Sequence, residues 1–393
     1  MLVLVAPGQG AQTPGFLTPW LDVPGVADRL TWWSAVTGLD LIHYGTKADA
    51  ETIRDTAIAQ PLLVASGLVA ALALFPHPSD AYRVVGGAAG HSVGELTAAA
   101  GTGVITAESA MVLVRERGKA MAAAAAVTET GMSAVLGGDA EAVVAKITEH
   151  GLTPANMNGA GQIVAAGTLP QLEAFAADPP EKARVRPLAV AGAFHTHHMA
   201  PAVDRLAELV PGVTVRDPRT PYISNTDGAV LHDGREIVKR LVSQVSHPVR
   251  WDLCMETMRD LGVTAIIEVP PAGTLTGLAK RALPGVETLA LKTPDDLAAA
   301  RALVEKHGTP SEFDASPTWR LVVAPFKGIV KQSAVRAGDT LAPGTEVAVV
   351  ESHRDRQPVT VPHGGTVVEW LVEDGDPVAP GMPLLRIHPQ GAV

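Results

Sequence analysis

Ser92 sits in Gly90-His91-Ser92-Val93-Gly94, a hydroxyl with a glycine two residues to either side. This is the G-x-S-x-G pattern of a nucleophile elbow, a sharp turn from strand to helix that presents the serine oxygen. At such a turn the serine backbone is strained, and flanking side chains would collide with the neighbouring strand and helix; glycine removes the collision. A serine hydroxyl is a weak nucleophile until a base takes its proton. The candidate bases are His195, His197 and His198 in "AGAFHTHHMAP". No cysteine or acidic ligand lies beside that cluster, which argues against a metal site. An oxyanion formed at the serine needs two donors. One is the backbone N–H of Val93; the other is sought in the Gly-rich turn "APGQGAQ", where Gln9 stands. Arg117 and Met121 are four apart in "SAMVLVRERGKAMAAA" and share one helical face. A guanidinium there can grip a substrate carboxylate with two bonds, the plain alternative being a solvated or ion-paired arginine.

Such groups must be positioned by a frame, and the frame is legible. "LVLVA", "YRVVGGAAG" and "AIIEV" read as strands, alternating with helical patterns such as "AQPLLVASGLVAALALF". This alternation indicates an α/β fold with a largely parallel sheet, whose functional loops gather at the carboxyl ends of the strands. Both Gln9 and Ser92 follow such strands. Between about residues 128 and 191 the order changes to strand, helix, two strands, helix, strand, the ferredoxin-like order, read as an inserted subdomain. "EKHGTPSEFDASPTW", residues 305–319, is Pro-, Ser- and Asp-containing without periodicity and reads as a linker. Beyond it, "APFKGIVKQSAVRAGDTLAPGTEVAV" and "VPHGGTVVEWLVEDGDPVAPGMPLLR" repeat each other at an offset of 37, with nine identities in 26 positions and no gap. Two units are too few for a solenoid, so a small two-fold-symmetric β fold is expected.

Composition sets outer limits. A chain of 393 residues suits one large domain plus a smaller one, and 47% apolar content allows a sizeable core. The net charge of -10 argues against general nucleic-acid binding. The single cysteine, Cys254, excludes an internal disulfide. "MLVLVAPGQG" lacks the basic start of a signal peptide, and no apolar run in the sequence reaches the roughly 20 residues of a membrane span. A cytoplasmic location is expected.

Taken together, "PGQGAQ", "AQPLLVASG", "GHSVGELTAAA", "LVRERGKAM", "NMNGAGQIVAAG", "GAFHTHHMAPA", "SQVSHPVRW" and "GTLTGLAKR" resemble the malonyl-CoA:acyl-carrier-protein transacylase family, related to the acyltransferase domains of polyketide synthases. The resemblance runs from Met1 to about Ala300. It implies an α/β-hydrolase-like core for residues 1–304 and a ping-pong reaction for fatty-acid or polyketide synthesis. Ser92 attacks malonyl-CoA with His195 as base. Gln9 and the Val93 amide hold the oxyanion, and Arg117 pairs with the malonyl carboxylate. The phosphopantetheine thiol of an acyl carrier protein then takes the acyl group. The resemblance also implies that a backbone carbonyl, mapping to Gln244, orients the histidine. It places His91, Gln60, Asn156, Asn158 and Gln162 with Met121 around the pocket. "GAFH" resembles the malonyl-type tetrapeptide, with Phe194 filling the space a methyl branch would need. Lys280, Arg281, Arg184 and Arg186 are candidates for a basic patch at the pocket mouth. The family's usual "GPG" reads "EVPPAGTLTGL" here, a departure at Pro270 and Pro271.

Residues 320–393 resemble a biotinyl/lipoyl-carrier domain, a flattened all-β barrel of two similar halves that displays a modified lysine on a hairpin. That hairpin reads "VESHRDRQPV", with Arg354 at the lysine position and no lysine after Lys331. Arginine does not form the amide to biotin or lipoate, so no covalently bound cofactor is expected and the domain reads as a docking, dimerising or spacing module. Two rival functions stand beside acyl transfer: a hydrolase or editing thioesterase on the same serine, and a scaffold component acting through the C-terminal domain.

Overall fold

The computed structural model describes residues 1–190, 192–308, 320–361 and 364–388. The chain divides into two compact units near residue 314. In the first, the strands in chain order are β1 (Leu2–Ala6), β2 (Gly87–Gly90), β3 (Thr130–Gly137), β4 (Thr153–Gly159), β5 (Gln162–Thr168), β6 (Ala183–Pro187), β7 (Tyr222–Ile223), β8 (Val230–Leu231), β9 (Val249–Arg250), β10 (Ala265–Glu268) and β11 (Glu287–Ala290). Six form one sheet in the order β11-β10-β1-β2-β7-β8, parallel except at the β7–β8 edge. The central strands β1, β2 and β10 are almost wholly apolar and buried, as a sheet covered on both faces requires.

The helix Thr56–Leu74 packs on helices Ala107–Ala125 and Gly94–Gly101, the latter lying on strands β1 and β2. It begins where the Asp55 carboxylate accepts from Ala57 N. With 19 residues and a mean hydropathy of 2.0 it is long and apolar enough to cross a membrane, where the sequence reading found no such run; 72% of it is buried inside this fold, so its apolarity serves the core.

The second sheet has the order β6-β3-β5-β4-β9. Its first four strands, with helices Ala140–Glu149 and Leu169–Ala177, make the ferredoxin-like arrangement, extended by β9 running parallel to β4. Strand β6 ends at Pro187, short of the boundary near 191 expected for the inserted subdomain. Ala191 lies outside the described residues.

Two local expectations fail for physical reasons. "YRVV" is not strand: Pro78–Val84 is a helix, because Pro78 suits its first position, the His77 ring accepts from Ser79 N, and Asp80 and Arg83 match the dipole at its two ends. The strand begins only at Gly87. Residues 305–307 are not linker but the last turn of helix Leu297–His307, whose Leu303 and Val304 pack on the core and whose Lys306 pairs with Glu287. Residues 309–319 of the expected linker lie outside the described residues.

The second unit carries β12 (Arg320–Val323), β13 (Gly328–Gln332), β14 (Thr340–Leu341), β15 (Glu346–Glu351), β16 (Arg356–Thr360), β17 (Gly365–Trp370), β18 (Pro377–Val378) and β19 (Pro383–His388). They form two antiparallel four-stranded sheets, β12-β19-β17-β14 and β16-β15-β13-β18. The offset of 37 maps β13 onto β17, β14 onto β18 and β15 onto β19. Each half lends its short strand to the other half's sheet, β14 to β17 and β18 to β13. The repeated glycines turn the chain: Gly338 and Gly375 have φ of 93° and 90°. Val330, Val350, Val367, Leu384 and Leu385 fill the space between the sheets.

Candidate active site

Strands β1 and β2 run side by side in parallel, Ala6 opposite Gly90, so the segments following them meet. His91 N donates to Ala6 O at 2.9 Å and the chain turns at once into helix Gly94–Gly101. Ser92 sits at the bend with φ 54°, a left-handed conformation costly for a serine. A Cβ at Gly90 would come within 2.0 Å of the Gly94 carbonyl carbon, and one at Gly94 within 2.2 Å of Ala6 O. Both glycines are therefore steric necessities. Asn225, from the turn after β7, clamps the bend: its Oδ1 accepts from Ser92 N at 2.9 Å and its Nδ2 donates to Gly90 O at 2.6 Å.

His195 comes from the far side of the ferredoxin-like insertion, and it too has positive φ, 61°. Its Nε2 lies 2.8 Å from Ser92 Oγ and its Nδ1 2.8 Å from the backbone oxygen of Gln244. A carbonyl accepts only, so Nδ1 carries the hydrogen and Nε2 is the free base facing the hydroxyl. Burial first, then the nearby Arg117 charge, lower the His195 pKa to about 3, so the imidazole is neutral at ordinary pH. His197 and His198 stack on each other with ring centroids 4.1 Å apart and stay outside this arrangement.

Arg117 lies on helix Ala107–Ala125 and is only 2% exposed. Its Nη1 donates to Gln60 Oε1 at 2.7 Å, and its Nη2 to Gln244 Oε1 at 2.9 Å and to Ser92 Oγ at 3.4 Å. Among the described residues no carboxylate pairs with it directly. Burial lowers its pKa to about 10, still far above neutrality. A buried charge held by two amide oxygens, with no counter-charge in contact, is costly unless an anion arrives. Met121, one turn on, accepts from Gln60 Nε2 through its sulfur at 3.4 Å. It shares an apolar cluster with Phe194, Ala155, Val164 and Met199. One turn from the guanidinium, Met121 thus belongs to an apolar cluster that includes the Phe194 ring.

Two residues of this network, Asn225 and Glu95, escaped the sequence reading. Glu95, in the first turn of helix Gly94–Gly101, is 1% exposed. Its Oε2 accepts from Gln244 Nε2 at 2.6 Å and its Oε1 from Asn225 N at 2.7 Å. Gln244 Nε2 also donates to Ser92 O at 2.9 Å. With two acceptors on that side, the Gln244 amide has one orientation, and its Oε1 must face Arg117. Glu95 therefore fixes Gln244, which in turn holds the guanidinium by its side chain and the imidazole by its backbone. Burial raises the Glu95 pKa to about 7, against the hydrogen bonds and the Arg117 charge that lower it. Glu95 and Asn225 carry sequence signals only in hindsight: a charged residue in the helix's apolar first turn, and "SNTDG" after a short strand.

The remaining candidates divide. His91 Nε2 bonds Asn158 Oδ1 at 2.9 Å, lies 3.5 Å from Asn156 Nδ2, and its ring tilts against Trp251 at 5.9 Å. Burial lowers its pKa. These three residues form one wall between the elbow and β4. Gln162 opens β5 opposite Gly159, on the same hairpin as Asn158, but its side chain makes no hydrogen bond to this group among the described residues. The side chain of Gln9 turns away from Ser92, its Nε2 donating to Arg54 O at 3.2 Å and to Thr56 Oγ1 at 3.3 Å. What Gln9 can offer the oxyanion is its backbone N–H, which like that of Val93 is engaged by no other group among the described residues. The mouth patch is partly corrected. Arg184 and Arg186 lie on β6, separated from β4 by β3 and β5, at the opposite edge of the second sheet. In the second unit, Arg354 is exposed at the tip of the β15–β16 hairpin, where the Ser352 hydroxyl accepts from Arg354 N at 3.3 Å and from Asp355 N at 3.0 Å.

A parallel α/β core with a serine elbow, a buried imidazole and a buried guanidinium defines an acyltransferase. Residues 3–296 match the family model of the acyl transferase domain, and the chain belongs to that family. It is 52% identical over 302 residues to the malonyl CoA-acyl carrier protein transacylase of Mycobacterium tuberculosis, covering 76% of this chain and 98% of that one. It is 35% identical over 312 residues to the transacylase of the same name from Escherichia coli, covering 76% and 98%. The crystal structure of MCAT from Mycobacterium tuberculosis superposes with a TM-score of 0.74 at 51% identity, over 77% of this chain and 99% of that one. A type II PKS acyl-carrier protein in complex with its malonyl-transacylase matches at 0.71 and 30% identity, over 77% and 99%. Residues 322–387 match the family model described as biotin-requiring enzyme.

Proposed function

We propose that the chain transfers a malonyl group from malonyl-CoA to the phosphopantetheine thiol of an acyl carrier protein through a Ser92 ester. The observation that carries this reading is the convergence on one oxygen. Ser92 Oγ lies 2.8 Å from the His195 base and 3.4 Å from the Arg117 guanidinium. The carboxylate of a malonyl thioester is two bonds from its reacting carbonyl, a span that joins these two groups.

In the first half-reaction Ser92 Oγ bonds to the thioester carbon and its proton passes to His195 Nε2. His195 Nδ1–H stays on the Gln244 carbonyl, which steadies the imidazolium. The oxyanion accepts from the Val93 and Gln9 amides, near the N-terminus of helix Gly94–Gly101, whose dipole favours negative charge. The carbon–sulfur bond breaks, and the CoA sulfur takes the proton from His195. In the second half-reaction His195 removes the proton of the carrier thiol, the thiolate attacks the ester carbon, and Ser92 regains its hydrogen. Arg117 holds the carboxylate throughout, exchanging its amide partners for a charged one. His91, Asn156, Asn158 and Gln162 line the approach, and Phe194 with Met121 excludes a branch at the acyl α-carbon.

The proposed division is an acyltransferase domain at 1–304 continued by the helix end at 305–307, a connection at 308–319, and a β domain at 320–393 whose hairpin carries no lysine to modify and which so serves docking, pairing or spacing in the cytoplasm. The experiment is transfer from malonyl-CoA to phosphopantetheinylated carrier protein, with both substrates varied. Parallel double-reciprocal lines are expected. Intersecting lines, or release of free malonate without carrier malonylation, would overturn the reading in favour of a ternary or hydrolytic reaction.

A further inference from the structure

A second cavity of about 520 Å³ opens on the first unit away from Ser92. Ser92, His195, Arg117 and Gln244 take no part in its lining. Its walls are apolar: Leu68 and Leu72 from the helix Thr56–Leu74 and Phe75 just past its end, Val85 and Ile105 from neighbouring loops, with Leu4 and Ala88 of the central strands as floor. Leu72, Ala71 and Ala81 remain only half-buried there, so apolar surface faces an open space inside the fold.

The mouth is of the opposite character. Arg29, His77 and Arg216 are exposed on it and Tyr82 is half-buried. Arg219 stands over the Tyr82 ring at 5.7 Å. Among the described residues Arg29 and Arg216 have no ion-pair partner, and the Tyr82 hydroxyl has no hydrogen-bond partner. Burial raises the Tyr82 pKa, so the phenol keeps its proton and remains a donor. The one acid at the mouth, Glu108, accepts from Trp32 Nε1 at 3.3 Å. Among the lining residues two guanidinium groups, Arg29 and Arg216, stand against one carboxylate, with Arg219 beside the Tyr82 ring, on a chain of net charge -10. The volume lies within the range of small-molecule sites, which pair apolar walls with a few convergent polar groups.

We propose that this cavity binds a fatty carboxylate, the hydrocarbon chain against Leu68, Leu72 and Phe75 and the anionic head among Arg216, Arg29 and the Tyr82 hydroxyl. The site is separate from the reaction centre but is built partly on the same strands and helices. Thr97, Ala98 and Ala100, on the helix that starts at the elbow, also line it.

The test is calorimetric titration of the full chain with octanoate, decanoate and dodecanoate below their micelle concentrations, with and without saturating malonyl-CoA. One equivalent is expected, tightening about fourfold per added methylene, undisturbed by malonyl-CoA and at least tenfold weaker for decanol than for decanoate. Ala71→Trp, which fills the cavity, abolishes binding. Arg216→Glu, at an exposed position that leaves the core intact, weakens it at least tenfold. Absence of saturable binding, displacement by malonyl-CoA, equal affinity for decanol, or unchanged affinity in Arg216→Glu would each overturn the proposal.

Discussion

Replacing Arg117 by alanine separates the acyl donors by charge. The guanidinium is held by Gln60 and Gln244 and among the described residues has no carboxylate in contact. A malonyl group supplies that carboxylate in a place closed to water. Removing one partner of a buried, hydrogen-bonded ion pair costs about 3–5 kcal/mol. At 1.36 kcal/mol per tenfold in rate, kcat/KM for malonyl-CoA falls by about two to nearly four orders of magnitude. An acetyl donor brings no charge, so it loses nothing comparable. It also gains, because the Arg117 charge is one of the causes holding His195 a poor base. The variant leaves the Gln60 and Gln244 oxygens unpaired, at about 1–3 kcal/mol of stability each. The assay is therefore the ratio of kcat/KM for malonyl-CoA over acetyl-CoA, in which a general loss of folded enzyme cancels. The expected fall in that ratio is at least a hundredfold. A ratio within about threefold of wild type would refute the carboxylate assignment.

Glu95→Gln places an amide against the Gln244 amide, frees that group to turn, and lowers malonyl transfer by about ten- to a hundredfold, from the ~1.5–3 kcal/mol of a hydrogen bond to a charged group; an unchanged kcat/KM would show that Gln244 is fixed otherwise. The Glu95 pKa of about 7 lies above its ordinary 4.5, so the native chain keeps a proton that the unfolded chain has shed. Its contribution is full below about pH 4.5 and drains as the pH rises through 7, and denaturant melts of Glu95→Gln lack that decline. His195 works in the opposite direction: its value of about 3 against 6.5 means that stability from this group is full above about pH 6.5 and drains as the pH falls towards 3. Imidazole nitrogen shifts should accordingly keep His195 neutral down to pH 5, and a midpoint near 6.5 would contradict the burial argument. Gly94→Ala drives a Cβ to 2.2 Å from Ala6 O, and denaturant melts should register a loss of about 1–3 kcal/mol or more. In the second unit the peptide containing Arg354 should carry no biotin or lipoate by mass, since the hairpin tip offers a guanidinium where an amine is needed.

Much of this was legible because local chemistry and global fold agree. Gly90 and Gly94 announce a bend, and the bend exists because two backbones approach closer than any Cβ permits. The β repeat was legible because turn glycines and core valines must recur when two halves share one barrel. What sequence could not give was long-range pairing of polar groups. Glu95, Asn225 and Gln244 are 130 and 149 positions apart at their contacts, and nothing local ties a first-turn glutamate to a distant glutamine. The Gln9 side chain points to Arg54 and Thr56 rather than to Ser92, a choice made by the neighbouring loop. Arg184 and Arg186 were misjudged because strand order, not sequence distance, decides which edge of a sheet faces the site.

The central claim is that Ser92 becomes a malonyl ester. Intact-protein mass after brief mixing with malonyl-CoA and acid quenching tests it, with peptide mapping of the product. One malonyl group on the peptide containing Ser92, absent from Ser92→Ala, is the predicted result. An adduct on another residue, or one that persists in Ser92→Ala at the same rate, would contradict it.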